Sequence, residues 1–532
     1  MKKRISLFLI FAMLITLLVP LAVTTVSADE PTLITDQASF VSAIATNSTK
    51  DADGKATGTF KLANDITISG EWNFTTVFRG ELDGNGHTIT FADGATITSG
   101  LFAMVSANAY IHDLSIVQAG SATWVPQTAS GCVNACLGGV VGLSGAGAVN
   151  GTNSWGNKDY TSSADNKVRI ENVTVTVNMD VTGSTPNASV GGIVGEIGLY
   201  TEITNCVFNG YISDATNRYD SSNGDSKSSQ DGGNSSRSAY GGIVGFGFRQ
   251  AVVVITECIN NGNITGYGQE GGILGAISPA WNANETFITT TIQRCINNGT
   301  ITCNGTDITS SVAGIAAYLY GRRVAGTTVN VLNNINNGTI AKAEGDAYIA
   351  GIVARVNRKE DKNVVTFAGN LQLSEDVGGG SQIMNHADGS GDDGVLVYTN
   401  NFGRSAGNST YSPLSDAAAY EAAYETLNAA YPDVYTYREN KIMLAWVPAP
   451  TEPEEPTTQS EEPTTEPVGE DATTAPTTTE PVTTAPDDGT KESGEKEKKK
   501  GCKSSVGIGG AVALVMVLGG AGATAATRRK ED

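Results

Sequence analysis

The stretch that decides the fold is GGIVGFGFRQAVVVITECINNGNI, residues 241–264, because copies of it return along the chain. Its Gly-rich first part reads GGIVG from Gly191 and GGILG from Gly271. Its second part, ITECINNGNI from Ile255, returns as IQRCINNGTI from Ile292. Short strand-like motifs that recur between variable spacers are typical of a solenoid, in which each repeat contributes one coil.

Working outward, both motifs extend over more than half of the chain. The Gly-rich strand occurs at Gly100, Gly138, Gly191, Gly241, Gly271, Ala313 and Ala350. The second motif begins at Ile111, Ile170, Ile203, Ile255, Ile292 and Val331. Its copies lie 33 to 59 residues apart, so we expect one coil plus an insertion of variable length. The sequence therefore predicts an all-β fold, a right-handed parallel β-helix with short helical caps.

Aligned copies of the second motif define columns that would stack from coil to coil at about 4.8 Å. The predicted core ladder contains Ile111, Ile170, Ile203, Ile255, Ile292 and Val331, with Cys206, Cys258 and Cys295 three residues further on. The predicted turn ladder contains Asn209, Asn261, Asn298 and Asn337. A glycine follows each of these asparagines, and we expect it to adopt the positive φ of a tight turn.

Seven cysteines are an odd number for an exported chain, which argues against a fully paired disulfide framework. Cys206, Cys258 and Cys295 share their column with Leu114 and Val173, so we interpret them as buried thiols that behave as small hydrophobes. Cys132 and Cys136, four residues apart, either form a disulfide or flank a loop.

The GGIVG-type repeats resemble the GLUG motif of bacterial cell-surface proteins. The entry segments KLANDITI from Lys61 and FRGELDGNGHTI from Phe78 are similar to the first coils of pectate-lyase-like right-handed β-helices. The resemblance covers about Leu62 to Leu373, and the last copies depart from it with alanine in place of glycine at Ala313 and Ala350. It implies a surface location and an architecture, with no catalytic residues to transfer.

The two ends of the chain predict export and anchoring. Residues 1–28 have a basic start, an apolar run and small residues at Val26-Ser27-Ala28, as a signal peptide does. Residues 448–505 hold a Pro/Thr/Glu-rich stretch and then a lysine cluster, and predict a disordered stalk. Residues 506–526 are uncharged and long enough for one transmembrane helix, and residues 527–532 would be its cytoplasmic tail.

Between these ends we expect three regions. Residues 29–60 would form an N-terminal cap whose helix turns Phe40, Val41 and Ile44 toward the first coil. Residues 61–410 would form the β-helix, and residues 411–447 a cap with one helix and one strand over its C-terminal end. Such caps are needed because a solenoid otherwise leaves its core and strand edges open.

Charge and residue types limit the partners. The net charge is −21 before removal of the signal, which argues against a nucleic-acid partner. We predict no cofactor and no metal site, with Ca²⁺ as a weak alternative in two acidic loops, one with Asp220, Asp225 and Asp231 and one near Asp392.

The predicted function is that of a membrane-anchored cell-surface display protein with an extracellular N-terminal ectodomain. It would not be an enzyme, and would serve in adhesion or in binding glycans or surface proteins. Candidate binding residues are aromatics in the insertions: Trp124, Trp155, Tyr160, Tyr219 and Trp281. The alternatives are a polysaccharide lyase or glycoside hydrolase on the same fold and a structural envelope spacer. The repeat columns lack the recurrent acids that glycoside hydrolysis requires.

Overall fold

Parallel pairing between strands far apart in sequence dominates the computed structural model of the protein. The structure describes residues 30–46, 58–127, 135–144, 167–181, 187–198, 200–216, 238–249, 252–279, 289–305, 310–320, 328–342, 345–357, 363–388 and 395–447. All of them belong to one compact unit, Met1–Thr451. The predicted signal peptide, stalk and transmembrane segment lie outside the described residues.

The described chain contains two helices and 42 strands. The helices are α1 (Gln37–Thr46) and α2 (Ala417–Ala430). The first strands are β1 (Thr32–Ile34), β2 (Thr59–Leu62), β3 (Ile66–Ile68), β4 (Glu71–Trp72), β5 (Glu81–Asp83), β6 (Thr88–Phe91), β7 (Ala95–Thr98), β8 (Phe102–Val105), β9 (Tyr110–Gln118), β10 (Ala122–Val125), β11 (Ala135–Gly138), β12 (Val141–Ser144) and β13 (Val168–Asp180).

The middle strands carry the most regular repeats. They are β14 (Ala188–Gly191), β15 (Val194–Ile197), β16 (Thr201–Thr204), β17 (Val207–Ser213), β18 (Ala239–Gly241), β19 (Val244–Arg249), β20 (Val253–Thr256), β21 (Ile259–Asn260), β22 (Asn263–Gly266), β23 (Gln269–Gly271), β24 (Leu274–Pro279), β25 (Thr289–Gln293), β26 (Ile296–Asn297), β27 (Ile301–Cys303), β28 (Ser311–Ala313) and β29 (Ala316–Tyr320).

The last strands complete the repeats and form a terminal hairpin. They are β30 (Thr328–Leu332), β31 (Ile335–Asn336), β32 (Ile340–Lys342), β33 (Tyr348–Ala350), β34 (Val353–Asn357), β35 (Val364–Ala368), β36 (Leu371–Gln372), β37 (Met384–Asp388), β38 (Val395–Thr399), β39 (Phe402–Gly403), β40 (Ser412–Pro413), β41 (Tyr435–Arg438) and β42 (Lys441–Leu444).

One coil consists of five short strands, and β20 to β24 show it most clearly. Each of these strands pairs in parallel with its counterpart one coil later, β25 to β29, and those pair with β30 to β34. The pairs fall into long parallel sheets of 23, eight and six strands. Mostly β content, parallel sheets and only two helices are consistent with a parallel β-helix or solenoid.

The predicted core ladder lies inside these sheets. Ile170 pairs with Ile111 and Ile203, and the series continues through Ile255 and Ile292 to Val331. All six side chains are fully buried. The ladder stabilises the fold by removing one branched side chain per coil from water, worth about 1.5–3 kcal/mol each.

The cysteine column has a polar role that the sequence interpretation missed. Cys206, Cys258 and Cys295 are buried and free, and each sulfur lies 3.3–3.4 Å from the carbonyl oxygen two residues before it and 3.6–3.7 Å from one in the preceding coil. In the next coil Asn334 Nδ2 donates to Ile292 O at 2.9 Å. The column therefore places polar side-chain atoms beside backbone carbonyls as well as filling space. Cys136 is disulfide-bonded, and Cys132 lies outside the described residues.

The Gly-Gly pairs stand at a corner where the six-stranded sheet passes into the eight-stranded one. At this corner the second glycine of each pair lies close to a side chain from another strand of the coil and to the backbone of the next coil. A Cβ on Gly272 would lie 2.5 Å from Cγ of Asn297 and 2.0 Å from Gly314 O. Gly242 faces Asn260 in the same manner. The second glycine of each pair is therefore required by packing, because a Cβ at that position would overlap with neighbouring atoms.

The residues that fill the interior of the coil at this corner form a buried amide ladder: Asn260, Asn297, Asn336 and Gln372, all fully buried. Asn260 Nδ2 donates to Asn297 Oδ1 at 2.7 Å, Asn297 Nδ2 to Asn336 Oδ1 at 2.7 Å, and Asn336 Nδ2 to Gln372 Oε1 at 2.8 Å. Because each amide is satisfied by its neighbours, the polar column is compatible with burial.

The predicted turn ladder is present on the outside, but the role expected for its glycines was wrong in three of four cases. Only Gly210 has a positive φ, 107°. Gly299 is instead required by packing, since a Cβ there would lie 1.9 Å from Gly262 O. The left-handed residues stand earlier in each copy, at Asn205 (φ 52°) and Glu257 (φ 54°) for example, where two strands meet at a corner.

The N-terminal cap helix packs on the first coil through one face. Phe40 and Ile44 are buried, and Phe40 contacts the rings of Trp72 and Phe102. The expectation for Val41 was wrong, because its side chain is 39% exposed on the outer face of α1.

The C-terminal module consists of α2 and the β41–β42 hairpin, and it lies along the flank of the coils. The sequence predicted a cap over their C-terminal end. Its apolar residues pack on an outward-facing column that runs through Ile296, Ile335, Leu371 and Phe402. The Tyr435 hydroxyl anchors the module to the coils by donating to Gly369 O, and it also lies 3.0 Å from Asn333 Oδ1. Among the described residues, neither helix is long and apolar enough to cross a membrane.

Candidate binding groove

A groove of about 860 Å³ runs between the coils and the C-terminal module. Its volume lies within the usual range of small-molecule sites, roughly 300–1,000 Å³. It is lined from one side by Ile259, Asn261, Ile296, Asn298, Ile335, Asn337 and Leu373, and from the other by Arg404, Ser415, Asp416, Ala417, Tyr420, Glu439, Asn440, Lys441, Ile442, Met443, Leu444 and Val447.

The floor of the groove is a column of isoleucines that point away from the core. Ile259 pairs with Ile296, and Ile296 pairs with Ile335 in the next coil. Ile259 is partly exposed, whereas Ile296 and Ile335 are 6% and 2% exposed beneath the module. The groove is therefore most open at Ile259 and closes toward the later coils.

The exposed asparagine ladder forms the polar edge of this floor. Asn337 Nδ2 donates to Asn298 Oδ1 at 2.9 Å, Asn298 Nδ2 to Asn261 Oδ1 at 2.8 Å, and Asn261 Nδ2 to Asn209 Oδ1 at 3.0 Å. Each step follows one coil, so the amides repeat at the strand spacing of about 4.8 Å. The ladder continues past the groove to Thr176 Oγ1, which accepts from Asn209.

The opposite wall carries the charged groups. Arg404 donates to Tyr420 Oη at 2.8 Å and pairs with Glu375, which fixes its guanidinium. Asp416 caps α2 by accepting from the Ala419 backbone N–H at 2.9 Å, and this hydrogen bond lowers the pKa of its carboxyl. An acid held ionised in this way is poorly suited to donate a proton.

Trp124, predicted as an exposed binding aromatic, is a core residue. It lies in β10, fully buried, with its ring edge-on to Phe91 and its Nε1 donating to Gln118 at 3.0 Å. The prediction failed because a segment between two repeat motifs looked like an insertion, although it forms a strand that pairs with β7. Trp155, Tyr160, Tyr219 and Trp281 lie outside the described residues.

A second group of polar residues lies on the outer face of the first coils. In the described chain, Asp83, His112 and Asp113 bring three potential metal-ligand atoms within 4.8 Å of one another. Lys61 Nζ lies 2.8 Å from Asp83 Oδ2, and the two His112 ring nitrogens face Asp113 and Glu81. We interpret the group as a hydrogen-bond network around His112 beside the Lys61–Asp83 ion pair. The acidic-loop residues Asp220, Asp225, Asp231 and Asp392 lie outside the described residues.

A buried acid stands inside the coils near β22 and β23. Glu270 is fully buried, and its burial raises the pKa of its carboxyl to about 8. The Gly268 backbone N–H donates to its Oε1, and the Cys303 thiol lies beside it. Nearby, Tyr240 Oη donates to Asp214 at 2.8 Å. At neutral pH the carboxyl is therefore mostly protonated.

This acid predicts a pH dependence of stability. An unfolded Glu titrates near 4.5, so the folded chain holds the proton more tightly, and the free energy of unfolding should fall as pH rises from about 4.5 to about 8. The slope is up to about 1.4 kcal/mol per pH unit. Urea midpoints measured at pH 5 and pH 8 should differ less in Glu270→Gln than in the unaltered chain. Equal differences in the two proteins would contradict the buried-acid assignment.

The groove itself was not predicted, because it depends on where the C-terminal module packs. One signal was present: the isoleucine in each Cys-Ile-Asn-Asn-Gly copy, as at Ile259 and Ile296, follows a core cysteine directly and must face outward. An apolar column on an outer face is expected to pack against another segment of the chain or against a partner. The sequence does not tell which segment supplies it.

No protein-family model matches the chain, and no curated protein matches it. Among solved structures, a crystal structure of a "putative immunoglobulin A1 protease" from Bacteroides ovatus is similar over 79% of this chain and 93% of that one. The identity is 14% and the TM-score is 0.38, values too low to transfer a function.

Proposed function

We propose that this chain is a membrane-anchored cell-surface display protein whose GLUG-like, right-handed β-helix is a non-catalytic binding ectodomain. The observation that carries the proposal is the groove, with an apolar floor, a repeating amide edge and a volume suited to a ligand. Apolar surface with a few aligned polar groups is the usual composition of a binding site.

The ends of the sequence support display. A signal-like start, a Pro/Thr/Glu-rich stretch from Pro448 and the uncharged residues 506–526 stand in the order expected of an exported, stalked and anchored protein. A stalk of extended chain would hold the groove away from the membrane, where large ligands can reach it.

The groove's charged residues support binding over catalysis. Glycoside hydrolysis requires one carboxylic acid and one carboxylate on either side of the bond. Of the two acids in the lining, Asp416 and Glu439, Asp416 is engaged as a helix cap, which lowers the pKa of its carboxyl. A carboxyl that is held ionised in this way is a poor proton donor to a glycosidic oxygen, which favours binding over hydrolysis.

The test uses cells that produce the full-length chain. Ile259→Trp places a large ring at the open end of the groove and should obstruct any ligand, whatever its chemistry. Val254→Trp is the matched control, since Val254 is also partly exposed but lies on β20, which contributes no residue to the groove lining. Cells are applied to surfaces coated with neutral polysaccharides, acidic polysaccharides, mucin and collagen, and surface exposure is checked with antibody on intact cells.

We expect retention on at least one surface, lost with Ile259→Trp and kept with Val254→Trp. Equal retention of both variants on every surface would overturn the groove as the binding site. Absence of antibody staining on intact cells that contain the protein would overturn the display role.

A further inference from the structure

We infer that the ligand of this groove is an uncharged polysaccharide that lies along the coil axis with its hydroxyls on Asn261, Asn298 and Asn337. The inference rests on the proposed function and adds to it the chemical class and the direction of the ligand.

The hydrogen-bonding capacity left over on the ladder points to hydroxyl groups. A primary amide has two N–H donors and two acceptor lone pairs. Asn261 and Asn298 each use one N–H and one lone pair within the ladder. Each exposed amide therefore retains one donor and one acceptor, and a hydroxyl can satisfy both at once, since it donates one hydrogen and accepts. A carboxylate only accepts and an ammonium only donates.

Spacing argues against an extended peptide, whose amides also donate and accept. A β-strand rises about 3.3–3.4 Å per residue, and its like-facing groups repeat at about twice that distance. The ladder repeats at about 4.8 Å, so a peptide along the axis would lose register within two coils. A glycan avoids this limit because each ring carries several hydroxyls around it.

The floor fits the apolar faces of sugar rings. At the open end, the partly exposed Ile259 and its partner Val207 in the preceding coil form an apolar strip beside the amides, whereas Ile296 and Ile335 are covered by the C-terminal module. A ring lying on this strip covers it with C–H groups while its hydroxyls extend sideways to the ladder. Tyr420 in the opposite wall offers an aromatic surface to the same ring.

Charge balance favours a neutral polymer over an acidic one. The ionisable lining residues are Arg404 and Lys441 against Asp416 and Glu439, which cancel. Arg404 is already held by Glu375. The chain as a whole has a net charge of −21, so a polyanion would be repelled on approach.

The ladder also gives the direction and a minimum length. From Asn337 it passes through Asn209 to Thr176, four coil steps or about 19 Å. At the open end the floor continues from Ile259 to Val207, its partner in the preceding coil. A polymer can therefore leave the groove along the coils without turning.

The experiment is affinity electrophoresis of the purified full-length chain through gels that contain one polymer each. The neutral probes are hydroxyethyl cellulose, xylan, mannan, galactan and starch. The acidic probes are polygalacturonate and hyaluronan, and a threonine-rich β-strand peptide coupled to the matrix represents extended protein. Asn261→Ala/Asn298→Ala removes two rungs, and Asn298→Asp keeps the size of the side chain but removes its donors.

Asn330→Ala is the matched control, because Asn330 also donates to the neighbouring coil, at Thr291, on strands away from the groove. Thermal melting of each variant verifies that it folds. We expect retardation by a neutral polymer, weakened about tenfold in both groove variants and unchanged in Asn330→Ala.

Retardation of the groove variants equal to that of the unaltered chain would overturn the placement of the ligand. Retardation only by acidic polymers or by the peptide, abolished in Ile259→Trp, would overturn the ligand class and leave the proposed function standing. Failure of every probe, neutral, acidic and peptide, would overturn both.

Discussion

Gly272→Ala is expected to lower the free energy of unfolding by about 3 kcal/mol, although alanine is the smallest change available. The backbone of Gly272 does not have a positive φ, so alanine can adopt its conformation. The cost comes from space, because the new Cβ would lie 2.0 Å from Gly314 O and 2.5 Å from Asn297 Cγ. Relieving these contacts requires adjacent coils to separate, which weakens the hydrogen bond from Gly272 N to Ala313 O.

The control for this prediction is Gly379→Ala. Gly379 has a φ of 77°, and a Cβ there would meet nothing within 4 Å. Gly379→Ala should therefore lower the free energy of unfolding by only about 1 kcal/mol, the cost of placing alanine in the left-handed conformation. The two variants are compared by urea unfolding. If Gly379→Ala proves as destabilising as Gly272→Ala, the narrow corner is not what selects glycine in the Gly-Gly motif.

Asn297→Ala is expected to lower the free energy of unfolding by a similar amount, about 3 kcal/mol. The side chain is fully buried and makes three hydrogen bonds, with Asn260, Asn336 and Gly299 O. Its removal leaves Asn336 Oδ1 and Gly299 O without these donors in a place that water does not reach, and it opens a cavity. Both effects add to the loss of the bonds themselves.

Its neighbour Asn298 offers a matched control with the same chemical change. Asn298 is exposed and belongs to the outer ladder, so water can replace the bonds that its alanine variant loses. We expect Asn298→Ala to cost less than about 1 kcal/mol. Urea midpoints that fall equally in the two variants would show that burial does not distinguish the ladders.

Much of the coil could be predicted from the repeats, because a solenoid stacks like residues and a column in the alignment becomes a column in space. The isoleucine series from Ile111 to Val331 and the exposed series from Asn209 to Asn337 follow from that rule. Burial of the neighbouring Asn260 and Asn297 did not follow, since asparagine usually lies at the surface. Only the alternation of faces along a strand reveals that two consecutive asparagines must lie on opposite sides.

The groove could not be predicted in the same way, because it arises between parts that do not repeat. The C-terminal module occurs once, and its helix has no periodic partner in the sequence. Its contacts with Ile296, Ile335 and Leu371 depend on the shape of the assembled flank. Trp124 shows the same limit, since its burial results from the pairing of β10 with β7 outside the regular repeats.

The Asn-Asn dipeptides that begin at Asn260, Asn297 and Asn336 contribute to two amide chains that run in opposite senses. In the buried ladder Asn260 donates toward Asn297, in the direction of later coils. In the exposed ladder Asn298 donates toward Asn261, in the direction of earlier ones. Aligned amide dipoles would otherwise add along the stack, as they do in an α-helix. Where the two rows run side by side their dipoles oppose each other, so the pair places less partial charge at the ends of the stack than either row would alone.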